Sequence, residues 1–90
     1  MEKITICRIV EYVLPDGQNR PAIVVREGVE DFDDGATGPM VNLQVFLDGE
    51  NDESVAHHER QYGSAWRTSV KFDADQRPGT WHWPKRMEKK

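Results

Sequence analysis

Cysteine is almost absent from this sequence, because Cys7 is the single one among 90 residues. One thiol cannot form an intramolecular disulfide, which favours a reducing compartment. No Cys/His spacing of the structural zinc type occurs, since His57 and His58 are adjacent and their side chains diverge. We therefore predict no metal and no cofactor, and we predict that Cys7 is a small buried hydrophobic residue in an apolar strand.

Long hydrophobic runs are also missing. No stretch reaches the ~18 apolar residues that a membrane-spanning helix needs. Met1 is followed by Glu2 and Lys3 and then by strand-like alternation, without the apolar region of a signal peptide. These absences predict a soluble cytosolic protein without a membrane partner.

Catalytic signatures are the third absence. Neither Ser64 nor Ser69 lies in a Gly-x-Ser-x-Gly elbow, and Gly35 and Gly38 are not followed by the Lys-Ser or Lys-Thr of a phosphate loop. The sequence therefore predicts no catalytic residue, and we interpret the protein as non-enzymatic.

The charges are unevenly distributed behind a net charge of −4. Residues 27–59 contain ten acidic and no basic residues, whereas residues 60–90 contain eight basic and three acidic ones. A duplex-binding protein carries a basic footprint over one face, which this chain as a whole lacks. We therefore exclude duplex nucleic acid as a partner.

What the sequence does contain is strand-like alternation. In residues 40–48, one face carries Val41, Leu43, Val45 and Leu47, and the other carries Asn42, Gln44 and Phe46. In residues 65–73, the same period places Trp66, Thr68, Val70 and Phe72 on one face. The apolar run 22–25 indicates a strand buried on both faces, and Pro15-Asp16-Gly17 indicates the turn before it.

These runs predict an all-β, mainly antiparallel fold: a small SH3-like or partly open β-barrel with at most one short helix, capped by Ser54 within 54–62. Residues 1–84 form a single β domain, and 85–90 form a charged C-terminal tail. Residues 27–39 are predicted to be an acidic loop. Exposed strand edges favour a homo-oligomer.

Aromatic and Arg residues in the last third of the chain indicate a ligand site. Trp81 and Trp83 lie two residues apart between Pro78-Gly79 and Pro84, so an extended backbone places both on one face. Aromatic rings can stack on a base while guanidinium groups hold phosphate. The predicted ligand-binding residues are Trp81, Trp83, Arg67, Arg26, Asn42, Gln44 and Phe46. The alternative is that the Trp residues only fill the core.

Two resemblances follow from longer motifs. Residues 19–25, Asn-Arg-Pro-Ala-Ile-Val-Val, resemble a strand of the MazF/PemK toxins, which are dimeric SH3-like endoribonucleases. This resemblance implies an SH3-like fold and a catalytic contribution from Arg20.

Four blocks in order, YVLPDGQNRPAIVV, VNLQVFLDGEND, AWRTSVKFD and PGTWHWP, resemble a family of small, largely uncharacterised proteins of tailed phages and prophages. That resemblance implies a phage accessory protein in the host bacterial cytoplasm.

Three functions are therefore open. The leading hypothesis is a non-enzymatic counter-defence protein that sequesters a nucleotide-like immune signal of the host. The alternatives are a module for phage assembly or for binding a host defence protein, and a MazF-like endoribonuclease.

Overall fold

The computed structural model describes residues 4–29 and 40–84. It confirms an all-β fold, a mainly antiparallel sheet with two short helical turns. The strands are β1 (Ile9–Val13), β2 (Asn19–Val29), β3 (Met40–Phe46), β4 (Ser64–Val70) and β5 (Trp81–His82). A 3-10 turn (Gly49–Asn51) and helix α1 (His57–Arg60) lie between β3 and β4.

The five strands form one sheet in the order β4-β3-β2-β1-β5, and neighbouring strands are antiparallel. The predicted turn at Pro15-Asp16-Gly17 joins β1 to β2, and Gly17 has the positive φ of 91° that this turn requires. Beyond β4 the chain crosses to β5, where Phe72 pairs with Trp81 in a parallel bridge. This crossing curls the sheet into a half-barrel.

The inner side of the half-barrel holds the core. Val41, Leu43 and Val45 are 0–1% exposed, which confirms the core face predicted for β3. Trp81 is also fully buried, and Phe72 packs edge-on against it with ring centroids 5.0 Å apart. Residues from every strand therefore meet in one hydrophobic cluster.

The prediction that residues 22–25 are buried on both faces is wrong. Ala22 and Val24 are fully buried, whereas Ile23 is half-buried and Val25 is 39% exposed. The half-barrel has a core on one side of β2 only, so the apolar residues that point to the other side remain in contact with solvent.

The face predicted for residues 65–73 is also wrong. Val41 pairs with Val70 but Leu43 pairs with Arg67, so β4 contains one extra residue between these pairs. A bulge of this kind reverses the side of the sheet to which the side chains point. Ser69, with a φ of 53°, lies in it. Trp66 is consequently half-exposed while Ala65 is buried.

Two local predictions need correction. Cys7 is exposed, not buried, and its φ of 74° places it in a turn before β1 rather than in a strand. Helix α1 begins after Ala56, which provides no side-chain cap, so Ser54 is not its N-cap.

The predicted acidic loop falls only partly on described residues. Strand β2 continues to Val29, so 27–29 are strand rather than loop, and residues 30–39 lie outside the described residues, as does the predicted tail 85–90. Within 4–29 and 40–84, no helix has the length and apolar character needed to cross a membrane.

Candidate functional site

The side of the sheet opposite the core carries a row of uncharged, mostly apolar residues that crosses four strands. Ile9 pairs with Ile23, Ile23 pairs with Gln44, and Gln44 pairs with Trp66. Direct cross-strand partners point to the same side of a sheet, so these four side chains lie next to one another. Ile9 is 58% exposed and Trp66 is 50% exposed.

A second row extends this surface. Phe46 lies two residues beyond Gln44 on β3 and is 43% exposed. Ala22 pairs with Val45, which places Pro21 beside Phe46 on the same side. We call the six residues of the two rows the outer face: Ile9, Pro21, Ile23, Gln44, Phe46 and Trp66. None of them is charged.

The structure divides the predicted ligand-binding residues between the two sides of the sheet. Gln44 and Phe46 belong to the outer face, and Asn42 points to the same side because it alternates with buried Leu43. Arg26 pairs with Asn42 across a bulge in β2 and is exposed. Four of the seven predicted residues therefore share one side.

The remaining three residues lie elsewhere. Trp81 pairs with Tyr12 and is completely buried in the core. Trp83 packs edge-on against Trp81, with ring centroids 5.2 Å apart, and the Arg8 guanidinium lies 5.0 Å from the centroid of the Trp83 ring. The two Trp side chains thus contact each other, as their spacing suggested, but Trp81 has no exposed surface to offer a ligand.

Arg67 is held by an ion pair on the core side. It pairs across the sheet with buried Leu43, and its guanidinium donates two hydrogen bonds of 2.8 and 3.0 Å to the Glu59 carboxylate of α1. These hydrogen bonds lower the pKa of Glu59 and raise the pKa of Arg67. The Arg67 charge is therefore neutralised within the fold.

The predicted amide groups also have internal partners. Asn42 Oδ1 accepts a 2.9 Å hydrogen bond from the backbone N–H of Ser69, within the bulge of β4. Gln44 Nε2 donates a 3.4 Å hydrogen bond to the carbonyl of Ala65. Both amides support the register of β3 and β4.

Arg20, the residue that the toxin resemblance singles out, lies beside a carboxylate in a shallow groove. Its guanidinium contacts both carboxylate oxygens of Asp52, which is fully buried. Nη1 also donates to the carbonyl of Asn19, and Nη2 to the side chain of Gln18. This guanidinium therefore joins the start of β2 to the segment after β3.

The sequence reasoning predicted the β3 part of the outer face, Gln44 and Phe46, but missed Ile9, Pro21, Ile23 and Trp66. The period-2 pattern assigned Trp66 to the face of Val70, since a one-residue bulge leaves no clear signal in a sequence. The adjacent residues Ile9 and Val10 were the available indication, because two neighbouring apolar residues on a strand must point to opposite sides.

Within residues 4–29 and 40–84, no group of three or more His, Cys, Asp or Glu residues could hold a metal ion. Comparisons of the chain with protein-family models, with curated proteins and with solved structures found no match.

Proposed function

We propose that the chain is a non-enzymatic binding protein that docks its outer face against the apolar surface of a partner protein. The observation that carries this proposal is the row of Ile9, Ile23, Gln44 and Trp66, which crosses four strands without a charged residue and in which Ile9 and Trp66 are at least half exposed. Contiguous apolar patches on a protein surface are typical of interaction sites.

The composition of the outer face favours a protein over a nucleic acid. Trp66 and Phe46 are large, exposed aromatic side chains, and such residues contribute most of the binding energy at protein interfaces. A nucleic acid needs several phosphate-binding cations. Among the described residues, Arg26 lies on the side of the outer face, whereas Arg20 and Arg67 are paired with Asp52 and Glu59.

The resemblance to phage proteins supports a proposal for the cell in which the chain acts. In that setting the chain is a phage accessory protein that acts in the bacterial host cell, where it binds a host defence protein or an assembly partner in a stoichiometric complex. The predicted homo-oligomer would use the same surface, because a second copy also presents an uncharged outer face.

Purification from phage-infected cells tests the proposal. The tagged wild-type protein is compared with a Phe46→Ser/Trp66→Ser double variant and with Tyr62→Ser as the matched control. Tyr62 is 77% exposed and lies on the turn after α1, and it is not one of the six residues of the outer face. We expect the same partner with wild type and control and its loss with the double variant. Retention of the partner by all three proteins would refute the proposal.

Sequestration of a nucleotide-like signal is the second candidate. Trp66 and Phe46 expose aromatic rings on adjacent strands, and Arg26 and Asn42 lie on the same side of the sheet. A sheet surface with two exposed aromatic side chains can stack bases. Native mass spectrometry of the protein from infected cells separates the candidates, because a retained small molecule supports sequestration and a retained polypeptide supports docking.

A further inference from the structure

A cleft lies at the β5 end of the sheet. It has a volume of about 680 Å³ and is lined by Glu11, Asn19, Gln76, His82 and Trp83. Small-molecule sites usually have volumes of ~300–1,000 Å³, so this one is large enough for a compact ligand. The lining residues come from β1, the start of β2, the turn before β5, and β5 with the residue after it. Side chains that are distant in sequence thus converge on one concave surface.

The wall of the cleft contains a polar pair of buried His82 and partly buried Glu11. Glu11 and His82 are cross-strand partners, with His82 Nε2 2.9 Å from Glu11 Oε1. His82 is only 5% exposed, and the contact with the carboxylate fixes the orientation of its ring. When Nε2–H donates to the carboxylate, Nδ1 of the neutral imidazole remains as an acceptor.

Two buried atoms of the lining residues have unused hydrogen-bonding capacity. His82 Nδ1 and the indole Nε1 of Trp83 have no hydrogen-bond partner among the described residues. Buried polar atoms in folded proteins are almost always hydrogen-bonded. The accessible donors and acceptors for a polar ligand are the amides of Asn19 and Gln76, which are exposed.

The charge of the lining restricts the class of ligand. Glu11 is the only carboxylate among the five lining residues, and no Lys or Arg is among them. A phosphate or carboxylate group would therefore meet a like charge without a cation to offset it. A neutral ligand that donates hydrogen bonds to the carboxylate suits this lining better.

We propose that this cleft binds the vicinal diol of a neutral sugar, with the Glu11 carboxylate accepting both hydroxyl hydrogens and the side-chain amides of Asn19 and Gln76 donating to sugar oxygens. A carboxylate that accepts from ribose hydroxyls is a common arrangement in nucleoside recognition. A free sugar and the ribose of a nucleoside present the same diol. Glu11 pairs with Pro21 of the outer face, so the cleft adjoins that surface, but this proposal does not depend on the function proposed for the outer face.

The experiment is an NMR titration of the full chain, followed through the indole N–H signals of its Trp residues. The probes are ribose, adenosine and 2′,3′-dideoxyadenosine, which lacks the diol. We expect adenosine to shift the Trp83 signal and to leave the Trp66 signal on the outer face unchanged. An equal shift with ribose identifies the sugar alone as sufficient, and a shift with adenosine alone identifies a nucleoside.

Variants separate recognition from folding. Glu11→Gln keeps the shape of the side chain and should weaken adenosine binding by about tenfold or more. Asn19→Ser changes a second residue that lines the cleft, and Asn19 is exposed. Glu53→Gln is the control, because Glu53 is exposed and does not line the cleft. An equal shift of the Trp83 signal by dideoxyadenosine, no shift with any probe, or unchanged affinity in Glu11→Gln would each overturn the proposal.

Discussion

The guanidinium of Arg20 and the carboxylate of Asp52 form a two-point ion pair, in which Nε lies 2.8 Å from Oδ2 and Nη2 contacts Oδ1. The backbone N–H of Asp48 also donates to Oδ2 at 2.7 Å. Asp52 is fully buried, so its negative charge depends on these contacts for stabilisation. The pair attaches the segment between β3 and α1 to the start of β2.

Removal of one partner should therefore be costly. We expect Asp52→Ala to lower the free energy of unfolding by ~3–5 kcal/mol, because the Arg20 charge loses its partner in a largely buried site. Urea denaturation of wild type and variant measures the change. Arg77→Gln is the control, since the Arg77–Asp73 pair is exposed to solvent at the Arg and should contribute little to stability. Similar losses in both variants would contradict this account of Asp52.

The same pair predicts a dependence on pH. The hydrogen bonds from Arg20 hold the pKa of Asp52 below its ordinary value of 3.8. As the pH falls below about 4, the unfolded chain binds the proton first, so the contribution of Asp52 to stability is lost as the pH falls further through the folded-state pKa. Above pH 4 this contribution is fully present.

Measurement of unfolding free energy against pH checks this expectation. Wild type and Asp52→Asn should differ most at neutral pH, and their curves should converge at acidic pH. A gap of constant size from neutral pH down to the acid limit would show that the ionised Asp52 carboxylate does not contribute as described.

Because Trp81 is buried and Trp66 is half-exposed, truncating each of them to Ala should change stability by different amounts. Trp81→Ala should lower the free energy of unfolding by ~3–5 kcal/mol, because Trp81 is fully buried in the core. Trp66→Ala should change it by less than about 1 kcal/mol, because half of the Trp66 surface is already exposed. Thermal melts of the two variants compare them directly, and a larger loss for Trp66→Ala would mean that the two sides of the sheet are assigned incorrectly.

The bulge in β4 can be tested at Ser69. Its φ of 53° is unfavourable for a residue with a side chain and free of strain for glycine. Ser69→Gly should therefore be neutral or stabilising by up to ~1 kcal/mol, whereas the β-branched Ser69→Val should destabilise the fold by ~1–3 kcal/mol. Both are measured by chemical denaturation. Equal tolerance of Gly and Val would argue against a left-handed residue at this position.

The regular part of the fold was predictable because its pattern has a strict period. In β3, Val41, Leu43 and Val45 alternate with polar or exposed residues, and such alternation fits a sheet with one covered side. The turn at Pro15-Asp16-Gly17 was predictable for a similar reason, since each of its residues favours a specific turn position.

The candidate site was not predictable from that pattern. The bulge at Ser69 moves Trp66 to the outer face, and its only cause in the sequence is one additional residue between two strand pairs. The ion pair of Arg67 with Glu59 depends on where the short helix α1 packs, and sequence periodicity carries no information on that position. Local patterns define which side of a strand is apolar, but tertiary packing decides which of those sides is covered.

Photo-crosslinking from the outer face tests the central claim most directly. A benzophenone amino acid replaces Trp66 in one variant and Tyr62 in the other, and both proteins are irradiated in phage-infected cells. If the outer face is the docking surface, the probe at position 66 should form a discrete adduct with one polypeptide, while the more accessible probe at position 62 forms none. The same adducts from both positions, or none from position 66, would contradict the account.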